Sequence, residues 1–154
     1  MTEQPLPATG WPDELASIGA IRFARRSPHF ESTVQFYRDL VGLPLNATFG
    51  DSYGSTGAIF GMPGSSLTFE IVEANEPVPV DAQEQLCLYF PDATAQQQAT
   101  ARLSAVGLQP VESHPYWAAT GAVTYRDPDG REVVFAPFIF CVNEPPESNA
   151  SGEH

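Results

Sequence analysis

The chain has few basic side chains, and this scarcity excludes two classes of partner. Seven Lys and Arg stand against 19 Asp and Glu in 154 residues, so the formal net charge is -12. Nucleic-acid binding needs a basic face that displaces counterions from phosphates, and an anionic membrane surface selects the same charge. We therefore expect no nucleic-acid partner and no membrane partner. A negative charge either serves solubility alone or favours a cationic small molecule.

Cysteines and long apolar runs are also scarce. Cys87 and Cys141 are too few for the disulfide framework of a small secreted domain. No apolar run approaches the ~20 residues that span a bilayer. The N-terminus lacks the basic start and apolar stretch of a secretory signal. The sequence therefore predicts a cytoplasmic protein with two reduced thiols.

Motifs of several common chemistries are missing as well. The chain contains no Gly-x-x-x-x-Gly-Lys phosphate loop, no Gly-x-Ser-x-Gly elbow and no Cys-x-x-Cys pair. Hydrophobic residues make up 42% of the chain, which is enough for the core of one domain. The ends are rich in Pro, Gly and acids and lack apolar periodicity, which predicts disordered or draped tails. We place these tails at residues 1–16 and 142–154, around one domain at residues 17–141.

Two stretches have the apolar spacing of a helix. They cover residues 30–41 and 95–106, and each is followed by a glycine that can end a helix. Asp92 or Thr94 can cap the second helix. Eight short segments between Gly, Pro, Asp or Ser predict strands, and the Asp-Pro-Asp-Gly turn at residues 127–130 joins the last two.

The order of these elements is repeated. Strand, helix and three strands occur twice, and Val-Gly-Leu-Pro at residues 41–44 recurs as Val-Gly-Leu-Gln at residues 106–109. Neither half can cover its own sheet face. We therefore predict an α+β fold of two βαβββ modules, at residues 17–75 and 83–141. The modules pair into a curved, cup-shaped mixed sheet with helices on the outer face.

Two motifs resemble those of the vicinal oxygen chelate superfamily, which includes glyoxalases, bleomycin-resistance proteins and dioxygenases. Residues 31–43, ESTVQFYRDLVGL, resemble its first helix, and residues 125–134, YRDPDGREVV, resemble its last hairpin. A closer likeness is to small bacterial members with an Arg-x-Ala-Arg motif, a Pro-Tyr-Trp motif and no assigned substrate. These motifs lie here at residues 22–25 and 115–117.

The resemblance implies where the centre of the cup lies. In metal-using members four strand positions hold the ligands, and they correspond here to Arg22, Glu70, Leu86 and Val134. Only Glu70 is a metal-ligating residue type, whereas Zn²⁺ takes about four ligands. The resemblance thus implies no metal, no cofactor and no metal-dependent glyoxalase or dioxygenase chemistry. We expect Arg22 and Glu70 to form a bidentate ion pair, which either anchors a ligand or only satisfies two buried charges.

Alternation along the strands supplies the remaining cup residues. Leu88 follows Leu86 on the predicted cup face, and Glu132 precedes Val134 on the same face. Two aromatic residues before the last hairpin form the predicted rim, and an apolar cavity with a few polar groups is typical of a small-molecule site. The predicted ligand-binding residues are Arg22, Glu70, Leu86, Leu88, Tyr116, Trp117, Glu132 and Val134.

The resemblance leaves three functions open. The first is a binder that sequesters an antibiotic or a toxic metabolite, as bleomycin-resistance proteins do. The alternative is a metal-independent lyase or isomerase, with Glu70 as general base and Arg22 as the anchor of a developing oxyanion. The third is a partner-binding domain with a vestigial cup. A homodimer is expected in each case.

Overall fold

A computed structural model describes residues 12–146 of the chain. A 3-10 turn at Asp13–Leu15 precedes the first strand. The helices are α1 (Phe30–Gln35), which continues as a π-helical turn at Phe36–Val41, α2 (Ala93–Ala105) and α3 (Pro115–Ala119). The strands are β1 (Ile21–Ser27), β2 (Leu45–Ser52), β3 (Ser55–Gly61), β4 (Leu67–Glu73), β5 (Gln85–Tyr89), β6 (Val123–Arg126) and β7 (Glu132–Ala136).

The strands form two mixed sheets. The first has the order β1-β4-β3-β2, with β1 parallel to β4 and the other pairs antiparallel. The second has the order β5-β7-β6, with β5 parallel to β7. In each module the first strand therefore pairs with the last one after a helical crossover, as parallel strands require. The α+β class is confirmed, and each half of the chain forms its own sheet: within residues 12–146 the two sheets share no strand pair and do not form one continuous curved sheet.

The second module has three strands where the sequence predicts four. The segment predicted as a strand at residues 111–113 makes one bridge, between Val111 and Thr124. The chain then turns into α3, where Pro115 occupies the first turn and the His114 side chain accepts a hydrogen bond from the Tyr116 backbone N–H at 3.2 Å. Proline has no N–H for a sheet ladder but suits the start of a helix, which explains the replacement.

The first helix ends in a widened turn. The Tyr37 carbonyl accepts hydrogen bonds from the backbone N–H groups of Gly42 at 3.1 Å and Leu43 at 2.9 Å. Gly42 has φ of 88°, a left-handed conformation that glycine adopts at low cost. The buried face of this helical segment consists of Thr33, Phe36, Tyr37 and Val41.

The hydrophobic interior has two parts. The first core cluster combines both modules: Phe36, Tyr37, Val41, Leu43, Ala58, Phe60, Phe69, Ile71, Leu103, Tyr125, Val133 and Phe135. The second cluster consists of Trp117, Ala122, Val134, Ala136 and Phe138, with Cys87 and Tyr116 packed against it. Because alternate residues of β7 enter different clusters, β7 is buried on both faces.

The predicted Asp-Pro-Asp-Gly turn also joins the modules. Asp127 Oδ1 accepts hydrogen bonds from the backbone N–H groups of Asp129 and Arg131, each at 2.9 Å. Asp129 Oδ2 accepts a hydrogen bond from Thr33 Oγ1 of α1 at 3.2 Å. The hairpin of the second module is therefore held against the helix of the first.

The predicted tails lie partly outside the described residues. On the C-terminal side, Asn143 donates a hydrogen bond to the Pro91 carbonyl at 2.9 Å, so the chain stays on the domain beyond β7. The proposed boundaries at residues 16/17 and 141/142 stay predictions. None of the helices between residues 12 and 146 has the length and apolar character needed to cross a membrane.

Candidate functional site

Strand β5 faces the opposite way from the prediction. It pairs in parallel with β7, with Leu86 beside Val133 and Leu88 beside Phe135. Residues aligned in this way point to the same face of a sheet. Leu86 and Leu88 therefore pack against the first core cluster, on the other face from Val134. The predicted placement of both leucines beside Val134 and Glu132 is wrong.

The register identifies Gln85 as the counterpart of Arg22. In the first module Arg22 lies beside Thr68, which is two residues before Glu70. In the second module Gln85 lies beside Glu132, which is two residues before Val134, so Gln85 occupies the equivalent position. Sequence reasoning missed Gln85 because β5 reads Gln-Leu-Cys-Leu-Tyr, with apolar side chains on both faces. Alternation cannot assign the faces of such a strand.

Gln85 connects two other side chains of the predicted site. Its Nε2 donates a hydrogen bond to Glu132 Oε2 at 2.8 Å, and its Oε1 accepts one from Trp117 Nε1 at 3.0 Å. Glu132 is 7% exposed and Trp117 is also 7% exposed. The amide thus fixes a buried carboxylate and an indole ring in one arrangement.

These side chains line a cavity of about 550 Å³, which we call the Trp117 pocket. Its walls are Ala82, Gln83, Gln85, Glu112, Ser113, His114, Tyr116, Trp117, Arg126 and Glu132. Three predicted ligand-binding residues, Tyr116, Trp117 and Glu132, meet here. The two rings lie edge to face with centroids 4.8 Å apart, and the Tyr116 hydroxyl donates a hydrogen bond to Glu144.

Arg22 and Glu70 are close, but they do not form the bidentate pair that we predicted. A single contact joins Arg22 Nη1 to Glu70 Oε2 at 3.5 Å. The side chains are 54% and 12% exposed. Glu70 lies beside Ala24 rather than Arg22, so the guanidinium must reach two residues along the strands. This offset explains why only one nitrogen reaches the carboxylate.

A second cavity, of about 700 Å³, lies at the edge strands β1 and β5, and we call it the intermodule cavity. Arg22 and Leu86 line it, and Gln83 and Gln85 line both cavities, so the two adjoin. The other predicted residues, Glu70, Leu88 and Val134, are not among the described lining residues of either cavity. Val134 is fully buried in the second core cluster.

A buried polar chain runs behind the intermodule cavity. Arg25 Nη2 donates a hydrogen bond to the Tyr37 hydroxyl at 3.1 Å, and that hydroxyl donates one to Asp127 Oδ2 at 2.7 Å. Burial is the main cause that raises the pKa of Tyr37 well above its usual value, and Arg25 opposes it while Asp127 reinforces it. Tyr37 is therefore a neutral donor throughout the physiological pH range.

The residues at the family's metal positions do not fit a metal ion. Arg22 is a cation, Val134 has no donor atom, and the Gln85 oxygen already accepts a hydrogen bond from the Trp117 indole. Glu70 alone remains, whereas a divalent metal takes about four or more ligands. Elsewhere in residues 12–146, no three His, Cys, Asp or Glu side chains are grouped so that they could hold a metal ion.

The fold and the paired modules define a protein of the vicinal oxygen chelate class. FosX, a fosfomycin resistance protein from Listeria monocytogenes, has a TM-score of 0.63 and 14% identity, over 80% of this chain and 94% of its own. Its structure contains Mn(II) and 1S,2S-dihydroxypropylphosphonic acid. TnmS3, an antibiotic binding protein from Streptomyces sp. CB03234, has a TM-score of 0.57 and 20% identity, over 76% of this chain and 93% of its own. Both likenesses concern the fold.

Within this class, the chain belongs to the YycE family. It is 34% identical over 119 residues to YycE of Bacillus subtilis (strain 168), which covers 75% of this chain and 85% of YycE. Residues 84–137 match the YycE-like C-terminal domain. A 2.0 Å crystal structure of a Bacillus subtilis YycE protein of unknown function has a TM-score of 0.71 and 31% identity, over 81% of this chain and 93% of its own.

Proposed function

We propose that the chain binds a small organic molecule in the Trp117 pocket without a metal ion. The observation that carries the proposal is the Gln85 amide, which holds the Glu132 carboxylate and the Trp117 indole at the wall of the pocket. A concave site with an aromatic wall and a few oriented polar groups is typical of small-molecule binding. Its side chains are held before a ligand arrives, which lowers the cost of binding.

The charges of the pocket favour a ligand that carries an amine. Glu112 and Glu132 line the pocket against one arginine, Arg126. Glu132 is 7% exposed, and a buried carboxylate gains from a charged donor. The net charge of -12 attracts cations to the same surface. The ligand that we propose is an amine-bearing antibiotic or toxic metabolite, which the protein sequesters rather than converts.

Calorimetric titration of EDTA-treated protein with a panel of amine-bearing antibiotics tests this proposal. We expect saturable binding that Glu132→Gln weakens by about tenfold or more, because truncating a buried charge pair costs ~2–5 kcal/mol. Trp117→Phe, which removes the indole donor to Gln85, should weaken binding too. Glu31→Gln, on the exposed start of α1 outside the pocket, is the charge-matched control. Equal affinity in Glu132→Gln and Glu31→Gln would exclude the pocket.

The catalytic alternative centres on Glu70. Glu70 lines neither cavity, but Arg22, which contacts its Oε2 at 3.5 Å, lines the intermodule cavity, so a ligand bound there would lie near the carboxylate. In this scheme Glu70 is the general base of a metal-independent lyase or isomerase, and Arg22 stabilises the oxyanion. Turnover of a bound compound by the wild type, abolished in Glu70→Gln with binding retained, would favour this alternative over sequestration.

A homodimer in the cytoplasm remains part of the proposal. Ile139, Phe140 and Val142, which follow β7, are 36%, 45% and 75% exposed. Exposed apolar side chains so close together along the chain favour contact with a second copy. Light scattering after size-exclusion chromatography should give twice the mass of the 16.7 kDa chain. A mass of one chain at micromolar concentration would refute the dimer.

A further inference from the structure

The charged side chains of the intermodule cavity are mainly basic, whereas the protein as a whole is acidic. The chain contains no lysine and seven arginines, and three of those arginines, Arg22, Arg25 and Arg131, line this cavity. Glu84 is the one acid among its described lining residues. Three lining arginines against one lining acid make this cavity more basic than a chain of net charge -12 as a whole, which favours an anionic ligand.

Arg25 is the cation of this cavity that lacks a counter-ion. Arg22 pairs with Glu70, and Arg131 lies 3.5 Å from Asp129. Within residues 12–146, no carboxylate lies within ion-pairing distance of the Arg25 guanidinium, whose polar neighbour is the Tyr37 hydroxyl at 3.1 Å. Its Nε is buried without a hydrogen-bond partner among these residues. A guanidinium without a counter-ion gains free energy when an anion pairs with it.

Arg25 is held in a fixed position. Its guanidinium carbon lies 4.7 Å from the centre of the Phe69 ring, with the Tyr37 ring centre at 5.8 Å, so the planar group is supported by two aromatic faces. The rigid fork of an arginine matches the two oxygens of a carboxylate or a phosphoryl group. A fixed guanidinium therefore loses little freedom when it binds such a group.

Arg131 strengthens the site from the second module. Its side chain is 4% exposed, and Nη1 donates a hydrogen bond to the Arg26 carbonyl at 3.0 Å. Its Nε has no hydrogen-bond partner in the described part of the chain, but it forms an ion pair with the Glu84 carboxylate at 3.7 Å. Glu84 and Asp129 together balance its charge, which leaves Arg25 as the main anchor for an anion.

The other walls fit the apolar body of a ligand. They include Phe23, Met62, Val78, Pro79 and Leu86. Phe23 is 61% exposed although it is a large aromatic side chain, so an apolar ligand that covers it would gain hydrophobic free energy. The arginines and these apolar side chains together define an amphipathic site.

We propose that the intermodule cavity binds a small organic oxyanion, whose carboxylate or phosphoryl group pairs with Arg25 and whose apolar body lies against Phe23, Val78 and Leu86. This site is distinct from the Trp117 pocket in charge and in ligand class, although the two adjoin at Gln85. The proposal therefore does not rest on the binding of amines in the Trp117 pocket.

Titration calorimetry with benzoate, phenylphosphonate, inorganic phosphate and benzyl alcohol tests the proposal on the full chain. We expect saturable binding of benzoate and phenylphosphonate, weaker binding of phosphate because it lacks an apolar body, and the weakest for neutral benzyl alcohol. Arg25→Gln should weaken benzoate binding by about tenfold or more, as loss of a close charge pair does. Arg38→Gln, at an exposed arginine outside the cavity, should leave the affinity unchanged.

A second variant keeps the test decisive if Arg25→Gln does not fold. Val78→Trp fills the apolar side of the cavity without altering a charge, and it should also abolish benzoate binding. Benzyl alcohol binding as tightly as benzoate would refute the role of the arginines. Unchanged benzoate affinity in Arg25→Gln, or in Val78→Trp, would refute the site. Failure of both organic anions to bind wild-type protein in the low millimolar range would refute it as well.

Discussion

Replacement of Tyr37 by Phe tests the buried polar chain that separates the core from the intermodule cavity. Tyr37 is fully buried, and its hydroxyl donates a hydrogen bond to Asp127 at 2.7 Å and accepts one from Arg25 at 3.1 Å. A hydrogen bond to a charged group contributes about 1.5–3 kcal/mol. Tyr37→Phe should therefore lower the free energy of unfolding by about 1.5–3 kcal/mol. In a domain of this size that corresponds to a fall of about 3–12 °C in Tm.

Urea denaturation followed by circular dichroism measures this loss, with Tyr125→Phe as the matched control. Tyr125 is 4% exposed and packs edge to face on Phe135, but within residues 12–146 its hydroxyl has no hydrogen-bond partner. The control should change stability by less than about 0.5 kcal/mol. If the two variants lose the same free energy, the chain from Arg25 to Asp127 does not stabilise the fold.

The same hydroxyl predicts a dependence on alkaline pH. Burial first, and Asp127 second, raise the pKa of Tyr37 above its value in the unfolded chain, so the folded state retains a proton that the unfolded state releases. This contribution is fully present below pH about 10 and is lost as the pH rises toward the higher pKa of the folded state. Wild-type protein should thus lose stability above pH about 10 more steeply than Tyr37→Phe. If the free energy of unfolding of wild type and of Tyr37→Phe fell equally steeply with rising pH, the proton on the Tyr37 hydroxyl would not contribute to stability.

Two local features of the helices give further predictions. Gly42→Ala should cost about 1–3 kcal/mol, because φ is 88°, a conformation that L side chains rarely adopt. Gly107→Ala, with φ of 81°, should cost about the same, since the end of the Arg102 side chain beside Gly42 can move aside, and a much smaller loss at Gly107 in urea denaturation would contradict this reasoning. Asp92→Ala should cost about 1 kcal/mol, because its side chain accepts a hydrogen bond from Ala95 N at 2.8 Å. Asp92→Asn should restore most of that stability, and failure to do so would argue against the cap.

The fold was predictable where the local signals are strong. The helix cap at Asp92, the stop at Gly42 and the turn at residues 127–130 each depend on side chains next to the element that they end or join. The spacing of apolar residues gave the correct module order for the same reason. The middle of the second module was not predictable in the same way, because residues 111–113 have strand-like composition but form only one bridge before α3.

The site was predictable only in part. Tyr116, Trp117 and Glu132 line one pocket because α3 and β7 border it, and their role in ligand binding stays a prediction. The face of β5 could not be read from Gln-Leu-Cys-Leu-Tyr, because both of its faces pack against apolar clusters. A register error of one residue along β5 places Leu86 where the structure has Gln85, the side chain that forms hydrogen bonds with both Glu132 and Trp117. Arg25 and Arg131 were not predicted as site residues, because their joint position depends on contacts between the modules.

The most direct test of the central claim is whether ligand binding depends on a metal. EDTA-treated protein is melted alone, with Mn(II) or Zn(II), and with an amine-bearing antibiotic that binds it. We predict that neither metal raises Tm at micromolar concentration, and that the antibiotic raises Tm equally with and without metal. Stabilisation by a metal at about one hundred times its Kd would amount to about 2.7 kcal/mol. Such a shift, or antibiotic binding that requires the metal, would contradict a metal-free site.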